Sequence, residues 1–396
     1  MSRRRRPRGL ADWMLTVVGG LSALLTLVTC YYTLEFVAFD GLGRLGVVAL
    51  LMAPQLLLAS AVAAALGVVA YRRGASFAAG EFGLVLLLTA IMGVFPTLAV
   101  WRRAHEYQVL VSLGSALLPS LTFGAPRLDK TVAYGQAADG SRLVLDVWSA
   151  PAAPAGALHP AIVKVHGGGW NRGARSEREA WNRWFNQLGY DVFDVDYRLP
   201  PPPRWRDEVG DLKCALGWVL AHASRYRIDT TRISLMGYSA GGNLALLAAY
   251  SMGDPQLPPS CPAREVAVRS VINLYGATDL SALYRTTGSP NYLAPLMHAY
   301  IGGPPSTLAV RYHLLSPINH VDEHTPPTIT VQGEADRVVP AGQAAILDTA
   351  LSQAGIPHET YYLPWADHGF DVVVGSIASQ IARAKVAEFL AFHTTR

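Results

Sequence analysis

The chain has 396 residues, of which 16% are charged and 51% hydrophobic, and its formal net charge is +4. The mean hydropathy of +0.22 is high, and the charged fraction low, for an ordinary soluble protein. An arginine run, Arg3–Arg6, opens the chain, but no basic stripe interleaved with aromatic residues follows it, so the composition argues against nucleic-acid binding.

The excess of apolar residues lies almost entirely in the first hundred positions. Three runs there are near or above the roughly 18–20 apolar residues needed to cross a bilayer. We predict transmembrane helices over residues 14–34, 45–70 and 83–100, which form an N-terminal membrane domain over residues 1–104. A signal peptide is the alternative for the first run, but its length and the two runs that follow it favour a retained anchor.

The distribution of arginine predicts the topology, because short cytoplasmic loops carry an excess of Lys and Arg. With three crossings, seven arginines lie on one side of the membrane and three on the other. The first group is Arg3–Arg6, Arg8, Arg72 and Arg73, and the second is Arg44, Arg102 and Arg103. We therefore expect a multi-pass protein of the cell membrane with a cytoplasmic N-terminus and with the part of the chain that follows the third crossing outside the cytoplasm.

Residues 105–126 are predicted to form an amphipathic or interfacial linker. The stretch 106–123 is apolar but short, and Ser, Gly and Pro interrupt it. A fourth crossing by this stretch is the alternative, and it would return the remainder of the chain to the cytoplasm.

From about residue 127 to 396, strand-like runs alternate with helix-like ones, which indicates a mostly parallel sheet with helices on both faces. Two strands around Asp139–Gly140 are predicted to pair as a hairpin. The later strand predictions are residues 161–165, 191–195, 233–236, 271–274, 328–331 and 359–363.

A G-x-S-x-G motif, from Gly237 to Gly241, lies between a predicted strand and a predicted helix. In that context the serine stands on a sharp turn with its hydroxyl exposed above the sheet. Ser239 is therefore the candidate nucleophile, and the backbone N–H of Ala240 is a candidate donor to an oxyanion.

A second motif, His166-Gly-Gly-Gly169, follows the predicted strand 161–165. Because glycine is costly to order, three in succession indicate a backbone that must approach another group closely. We predict that Gly167 and Gly168 complete the oxyanion hole and that His166 holds the loop. A plain surface turn is the alternative.

A serine nucleophile needs a base, and the base needs an orienting carboxylate. In this kind of sheet the chain order is serine, acid, histidine. Asp336 follows the strand 328–331 and His368 follows the last strand, so we predict these as acid and base. Glu334 is the competitor of Asp336. Other histidines in this half of the chain are His313, His320, His324 and His358.

Together these motifs resemble the α/β-hydrolase fold, and within it the hormone-sensitive-lipase-like esterases, which carry HGGG, GxSAGG, Asp and His in this order. The segments DVDYRLPP (194–201) and SPINHV (316–321) are also similar to that family. The resemblance implies the triad Ser239, Asp336 and His368, and a membrane-anchored actinobacterial type of member.

Aromatic residues beside the motifs, Trp170, Tyr238 and Phe370, are tentative pocket residues. Residues 281–313 interrupt the alternation and are long for a plain connection. They are a candidate cap, with Tyr284, Tyr292, Leu293 and Met297 shaping an acyl pocket; an ordinary surface excursion is the alternative.

The predicted function is a membrane-anchored serine carboxylic-ester hydrolase, an esterase or lipase acting on acylated lipid or cell-envelope esters. It needs no metal and no cofactor, and its partners are the ester and the membrane. An acyltransferase with the same triad, or a non-catalytic hydrolase-fold interaction protein, is the alternative.

Cys30, Cys214 and Cys261 fit no metal pattern and leave a single Cys214–Cys261 bridge open. The oligomeric state does not follow from the sequence.

Overall fold

The computed structural model of the protein describes residues 9–34, 43–118, 128–151, 157–286 and 293–394. The chain forms two compact units. The first comprises Met1–Ser120 and Pro364–Ile381, and the second comprises Leu121–Leu363 and Ala382–Arg396. Arg3–Arg6, Arg8 and Tyr292, which the sequence analysis singled out, lie outside the described residues, as do residues 119–126 of the predicted linker.

Among the described residues, the second unit is built on an eight-stranded sheet. The strands are β1 (Lys130–Gln136), β2 (Arg142–Trp148), β3 (His159–Val165), β4 (Asp191–Val195), β5 (Ile228–Tyr238), β6 (Ser270–Leu274), β7 (Thr328–Gly333) and β8 (His358–Leu363). Their order in the sheet is β1-β2-β4-β3-β5-β6-β7-β8. β2 is antiparallel to both of its neighbours, and every other pairing in the sheet is parallel.

The predicted mostly parallel sheet with covering helices is confirmed, and each predicted strand lies within or overlaps an observed one. Strands β4, β6 and β7 are fully buried, as are β3 from Ala161 and β5 from Ile233, as expected for parallel strands covered on both faces. The helices after β3 are α6 (Glu179–Gln187), α7 (Asp207–Ala221), α8 (Ala223–Tyr226), α9 (Ala240–Tyr250), α10 (Leu280–Thr286), α11 (Leu293–Ile301), α12 (Pro305–Leu314), α13 (Gly342–Gln353) and α14 (Ile377–Thr394), and a 3₁₀ turn spans Pro317–His320.

A disulfide joins Cys214 in α7 to Cys261 in the loop before β6. This bridge, which the sequence left open, links two segments of the second unit that are 47 residues apart.

Among the described residues, the N-terminal part of the first unit forms five helices: α1 (Leu10–Leu34), α2 (Gly43–Leu51), α3 (Ala53–Arg72), α4 (Ser76–Glu106) and α5 (Leu113–Leu117). Three of these, α1, α3 and α4, are long and apolar enough to cross a membrane, by length and composition.

The predicted single helix over residues 45–70 is instead two helices, α2 and α3, separated at Met52. Met52 has φ −108° and ψ 19°, outside the helical region, and Pro54 stands in the first turn of α3. The break has a simple cause: Pro54 has no backbone N–H to donate to the carbonyl oxygen of Leu50, and its ring would clash with that oxygen in a continuous helix.

Small and apolar side chains join the long helices. Ala70 and Ala78 pack with Phe82 where α3 turns into α4. Deeper in the pair, the hydroxyls of Ser60 and Thr89 form a buried hydrogen bond of 2.8 Å. Such small residues and hydroxyl pairs are typical of helix contacts in membranes, where apolar burial alone gives no driving force between helices.

The segment 364–381 is tied to the N-terminal part of the same unit through Gln380. Its side-chain amide donates to the carbonyl oxygen of Ser112 (3.1 Å), and its side-chain oxygen accepts from the N–H of Ser112 (2.7 Å). Gln55 in α3 in turn donates to the carbonyl of Ala116 in α5. These bonds hold the residues around His368 within the unit that carries the apolar helices.

Candidate active site

Ser239 lies between β5 and α9, on the turn that the sequence motif predicts. Its φ of 56° and ψ of −126° are angles that residues with a side chain rarely adopt. The turn is tight: an added Cβ at Gly237 would lie 2.0 Å from the carbonyl oxygen of Gly241. Ala240 is the first residue of α9, where a backbone N–H has no partner within the helix.

The glycine loop follows β3, the parallel neighbour of β5, so both segments leave the same edge of the sheet. Their backbones touch. An added Cβ at Gly167 would lie 2.9 Å from the carbonyl oxygen of Tyr238, and one at Gly241 would lie 2.3 Å from that of His166. The structure therefore brings Gly167 beside the serine turn, where a side chain would not fit. At the next position, Gly168, an added Cβ would lie 2.0 Å from the carbonyl oxygen of Arg172 in the same loop.

His166 is buried beneath this loop and shapes it. Its Nδ1 donates to the carbonyl oxygen of Gly167 (2.7 Å), and its ring stacks on Tyr197 at 4.2 Å between centroids. The Tyr197 hydroxyl donates to the carbonyl oxygen of His166 (3.1 Å). Burial lowers the pKa of His166, which favours the neutral ring at this site.

Trp170 is buried, with 2% of its surface exposed, so it supports the loop from below. Its ring stacks on Tyr300 at 5.3 Å, and its Nε1 donates to Oδ1 of Asn243 (3.2 Å). The side-chain amide of Asn243 donates to the carbonyl oxygens of Ala277 and Leu315. Sequence analysis did not single out Asn243; its signal was a lone amide in the otherwise apolar start of α9.

Helix α11 covers the glycine loop from the candidate cap region. Tyr300 supplies the stacking partner of Trp170, and Leu296 lies so close to Gly169 that an added Cβ there would meet its Cδ1 at 2.7 Å. Met297 is fully buried and Tyr284 packs edge-on against Tyr312. The other tentative pocket residue on this unit, Tyr238, is also buried, with Arg178 over its ring at 4.9 Å.

Asp336 stands in the loop after β7 with its carboxylate fixed by three donors. Oδ1 accepts from the backbone N–H groups of Val338 (2.9 Å) and Val339 (2.7 Å), and Oδ2 accepts from the amide of Gln332 (3.2 Å). Asp336 is buried, whereas its competitor Glu334 is exposed. Only the former has the shielded, oriented character that a triad carboxylate needs.

His368 follows the end of β8 by five residues and belongs to the first unit. Its side chain is partly exposed, and its backbone N–H donates to the carboxylate of Asp367 (2.7 Å). Phe370, the third tentative pocket residue, is buried in the same segment. Two competing histidines are engaged elsewhere: ring nitrogens of His320 and His358 bond backbone carbonyls at 2.7 Å.

A buried ion pair joins β3, the strand that leads into the glycine loop, to its neighbour β4. Nζ of Lys164 in β3 lies 2.9 Å from Oδ2 of Asp194 in β4, and both side chains are fully buried. Asn182 donates to the same carboxylate (2.8 Å). Burial raises the pKa of Asp194 to about 6 despite the opposing effect of Lys164.

In the described part of the chain, no group of three or more His, Cys, Asp and Glu side chains could hold a metal ion.

Comparison with known proteins places this arrangement in a family. The BD-FAE family model matches residues 145–351, which include the glycine loop, Ser239 and Asp336. The chain belongs to the BD-FAE family. Solved structures confirm the α/β-hydrolase fold: a crystal structure of an acetyl ester-xyloside bifunctional hydrolase from Caldicellulosiruptor lactoaceticus has a TM-score of 0.56 at 21% identity, covering 67% of this chain and 97% of that one.

Two relatives of this BD-FAE protein come from Mycobacterium tuberculosis. The probable carboxylic ester hydrolase LipM is 31% identical over 266 residues, covering 66% of this chain and 61% of LipM. Esterase LipQ is 30% identical over 260 residues, covering 63% of this chain and 59% of LipQ. The chain thus matches about three fifths of the length of each relative. The predicted resemblance to α/β-hydrolase esterases is confirmed.

Proposed function

We propose that the protein is a serine carboxylic-ester hydrolase working through an acyl-serine intermediate. The observation that carries this proposal is the backbone of Ser239, held in a left-handed conformation beside the glycine loop. Strain of this kind costs on the order of 1–3 kcal/mol and persists where function needs it. The names of the relatives support the same chemistry.

In the proposed mechanism, Oγ of Ser239 attacks the ester carbonyl carbon while His368 takes the hydroxyl proton. The carbonyl electron pair moves to oxygen, and the N–H groups of Gly167, Gly168 and Ala240 stabilise the oxyanion. The C–O bond then breaks, and the alcohol oxygen leaves with its electron pair and the proton from His368. Water repeats these steps on the acyl-serine, releasing the acid and restoring the serine.

Asp336 is the proposed orienting carboxylate for His368. Its three hydrogen bonds from Gln332, Val338 and Val339 fix its position and stabilise its charge. A carboxylate held in this way keeps the imidazole in one tautomer and stabilises the imidazolium that forms during turnover. Neither the formation of the acyl-serine nor its hydrolysis requires a metal or cofactor in this mechanism.

The test of this proposal is Ser239→Ala in the full-length protein, with Ser224→Ala, an exposed serine on α8, as the control. We expect Ser239→Ala to lose roughly 10⁵–10⁶-fold in kcat on short-chain aryl esters, since removing a triad serine leaves only the oxyanion hole and binding. It should also lose labelling by a fluorophosphonate probe. Undiminished turnover or labelling would refute the assignment.

We further propose that the hydrolase unit faces an extracytoplasmic space and acts on lipidic esters of the membrane or envelope. Three apolar helices with seven arginines on one side and three on the other support a cytoplasmic N-terminus. The Cys214–Cys261 disulfide supports the same placement independently, because such bridges persist in oxidising compartments and are rare in the cytosol.

Reporter fusions at the C-terminus test this placement. A reporter active only outside the cytoplasm should be active, and a cytoplasmic reporter inactive, with fusions after Arg73 giving the reverse pattern as the matched control. Thiol labelling of Cys214 without prior reduction, together with an active cytoplasmic reporter, would contradict the topology.

A further inference from the structure

A carboxyl group that the proposed mechanism does not use is buried at the start of α7. Glu208 is the second residue of this helix, and none of its surface is exposed. Both of its side-chain oxygens are buried without a hydrogen-bond partner among the described residues. Most buried polar side-chain atoms in proteins have such a partner, because burying one without it costs free energy. Stability therefore does not account for this residue.

The surroundings of Glu208 keep it protonated. Burial raises the pKa of Glu208 well above its ordinary value, and the negative charges of Asp211 and Asp207 on the same helix raise it further, against the opposing effect of Arg204. The side chain is therefore a neutral carboxylic acid at pH 7, with one O–H that can donate a hydrogen bond and a carbonyl oxygen that can accept one.

Two tyrosines from other elements face this acid. Burial raises the pKa of Tyr197, in the loop after β4, and that of Tyr300, in α11, and the charge of an ionised Glu208 raises both further. Glu208 therefore lies within electrostatic range of both hydroxyl groups. Tyr300 is fully buried, and its hydroxyl also has no hydrogen-bond partner among the described residues. A neutral acid and a phenol are complementary, since each can donate to the other.

The same two tyrosines support both ends of the glycine loop. The ring of Tyr197 stacks on His166, which precedes the three glycines, at 4.2 Å between centroids. The ring of Tyr300 stacks on Trp170, which follows them, at 5.3 Å with the two planes 4° apart. The supports of the loop thus converge on Glu208 from two sides.

From its burial without a partner and its place between the two supporting tyrosines, we propose that Glu208 is a positioning residue of the glycine loop. It fixes Tyr197 and Tyr300, and these fix the backbone N–H groups of Gly167 and Gly168. The effect on catalysis rests on the proposed function, whereas the effect on the loop does not. Because an oxyanion forms only in the transition state, misplaced donors lower kcat and leave KM unchanged.

Glu208→Met, which removes the polar group at similar length, tests this role in the full-length protein. We expect kcat on an acetyl aryl ester to fall roughly 10- to 100-fold, as a misplacement of about 1 Å can cause, with KM within about threefold of the parent. The melting temperature should be unchanged or rise by a few degrees, because two buried oxygens without partners are removed.

Two further variants separate positioning from a disturbance of the helix. Glu208→Gln is neutral and can both donate and accept, so it should recover most of the kcat lost in Glu208→Met. Leu212→Met, a buried change one turn along α7, is the matched control and should keep the kcat and KM of the parent. A kcat in Glu208→Met within threefold of the parent would overturn the proposal. A lower melting temperature in Glu208→Met without recovery in Glu208→Gln would also overturn it, because that pattern indicates a structural role alone.

Limited trypsin digestion examines the loop without any ester. Arg172 is exposed in the glycine loop, and Arg225, exposed on α8, is the reference site. We expect Glu208→Met to speed cleavage after Arg172 severalfold relative to Arg225, since a loop without its support opens more often. Glu208→Gln and Leu212→Met should keep the ratio of the parent. An unchanged ratio in Glu208→Met would refute the role of Glu208 in the loop, whatever the esterase assay gives.

Infrared difference spectra at pH 7 test the neutral acid directly. The parent minus Glu208→Gln spectrum should contain the C=O band of a protonated carboxylic acid, which parent minus Leu212→Met lacks. A carboxylate band in its place would overturn the proposal. If the protein hydrolyses no ester but shows both the acid band and the faster cleavage in Glu208→Met, the role of Glu208 in the loop is supported and only the proposed function is refuted.

Discussion

Replacing Gly168 by alanine tests the oxyanion loop most directly. Gly168 has a φ of 115°, and an added Cβ would lie 2.0 Å from the carbonyl oxygen of Arg172, a backbone atom that cannot rotate away. The loop must therefore shift and carry the Gly168 N–H with it. Loss of one oxyanion donor costs about 10²–10³ in kcat, or roughly 2.7–4 kcal/mol.

The control for this substitution is Gly189→Ala. Gly189 also has a positive φ, 86°, but nothing lies within 4 Å of an added Cβ, and it is in the turn before β4. Both variants should lose about 1–2 kcal/mol of stability, since a left-handed backbone disfavours a side chain. The kinetic loss should belong to Gly168→Ala alone.

The assay is kcat on an acetyl aryl ester with the full-length protein in detergent, alongside the melting temperature of each variant. We expect Gly168→Ala to be at least a hundredfold slower while Gly189→Ala keeps its rate. If Gly168→Ala turns over within about threefold of the parent, the glycines serve only as a turn and the oxyanion assignment is wrong.

Three further predictions follow from the structure. Lys164→Met leaves the buried Asp194 without its cationic partner, so the free energy of unfolding should fall by about 3–5 kcal/mol. The pKa of Asp194 is already about 6 in the folded state and would rise further above its unfolded value, so the variant's stability should fall as pH rises from 6 to 8. A pH-independent loss would contradict this. Cys214→Ser removes the bridge to Cys261, 47 residues away, and should lower the free energy of unfolding by about 2–4 kcal/mol. Reduction of the parent protein by thiol reagents should give the same shift in melting temperature. No shift in either experiment would refute a structural role for the disulfide. Deleting residues 1–118 should leave the sheet folded by circular dichroism yet cut ester hydrolysis by at least tenfold.

Local chemistry made the sheet and the serine turn predictable from sequence. Central strands covered on both faces are continuous apolar runs, so β4 was predicted with its observed bounds. The close approach of two backbones at Gly167 and Gly241 leaves no room for a Cβ, so only glycine fits these positions, and the sequence shows this directly. Such features depend on residues close in sequence or on obligatory small size.

Other features depended on tertiary contacts that no local pattern encodes. Trp170 follows the glycine loop, but which side its ring faces is decided by Tyr300 and Asn243, from distant parts of the chain. The split of the second apolar run at Met52 was signalled by Pro54, yet whether a proline kinks or ends a helix depends on what its neighbours supply.

The deletion prediction follows from which unit carries which part of the proposed triad. Ser239 and Asp336 belong to the second unit, whereas His368 lies in the segment 364–381, whose packing partners are in the first. Those partners are the α2–α3 break, α4 and Ser112, which bonds Gln380. Without residues 1–118 the segment loses an apolar wall and two hydrogen bonds, so the base is no longer held in place, although the sheet keeps its own core. The fluorophosphonate and turnover assays on the deletion variant read this directly, and a full rate would show that the apolar helices serve only as an anchor.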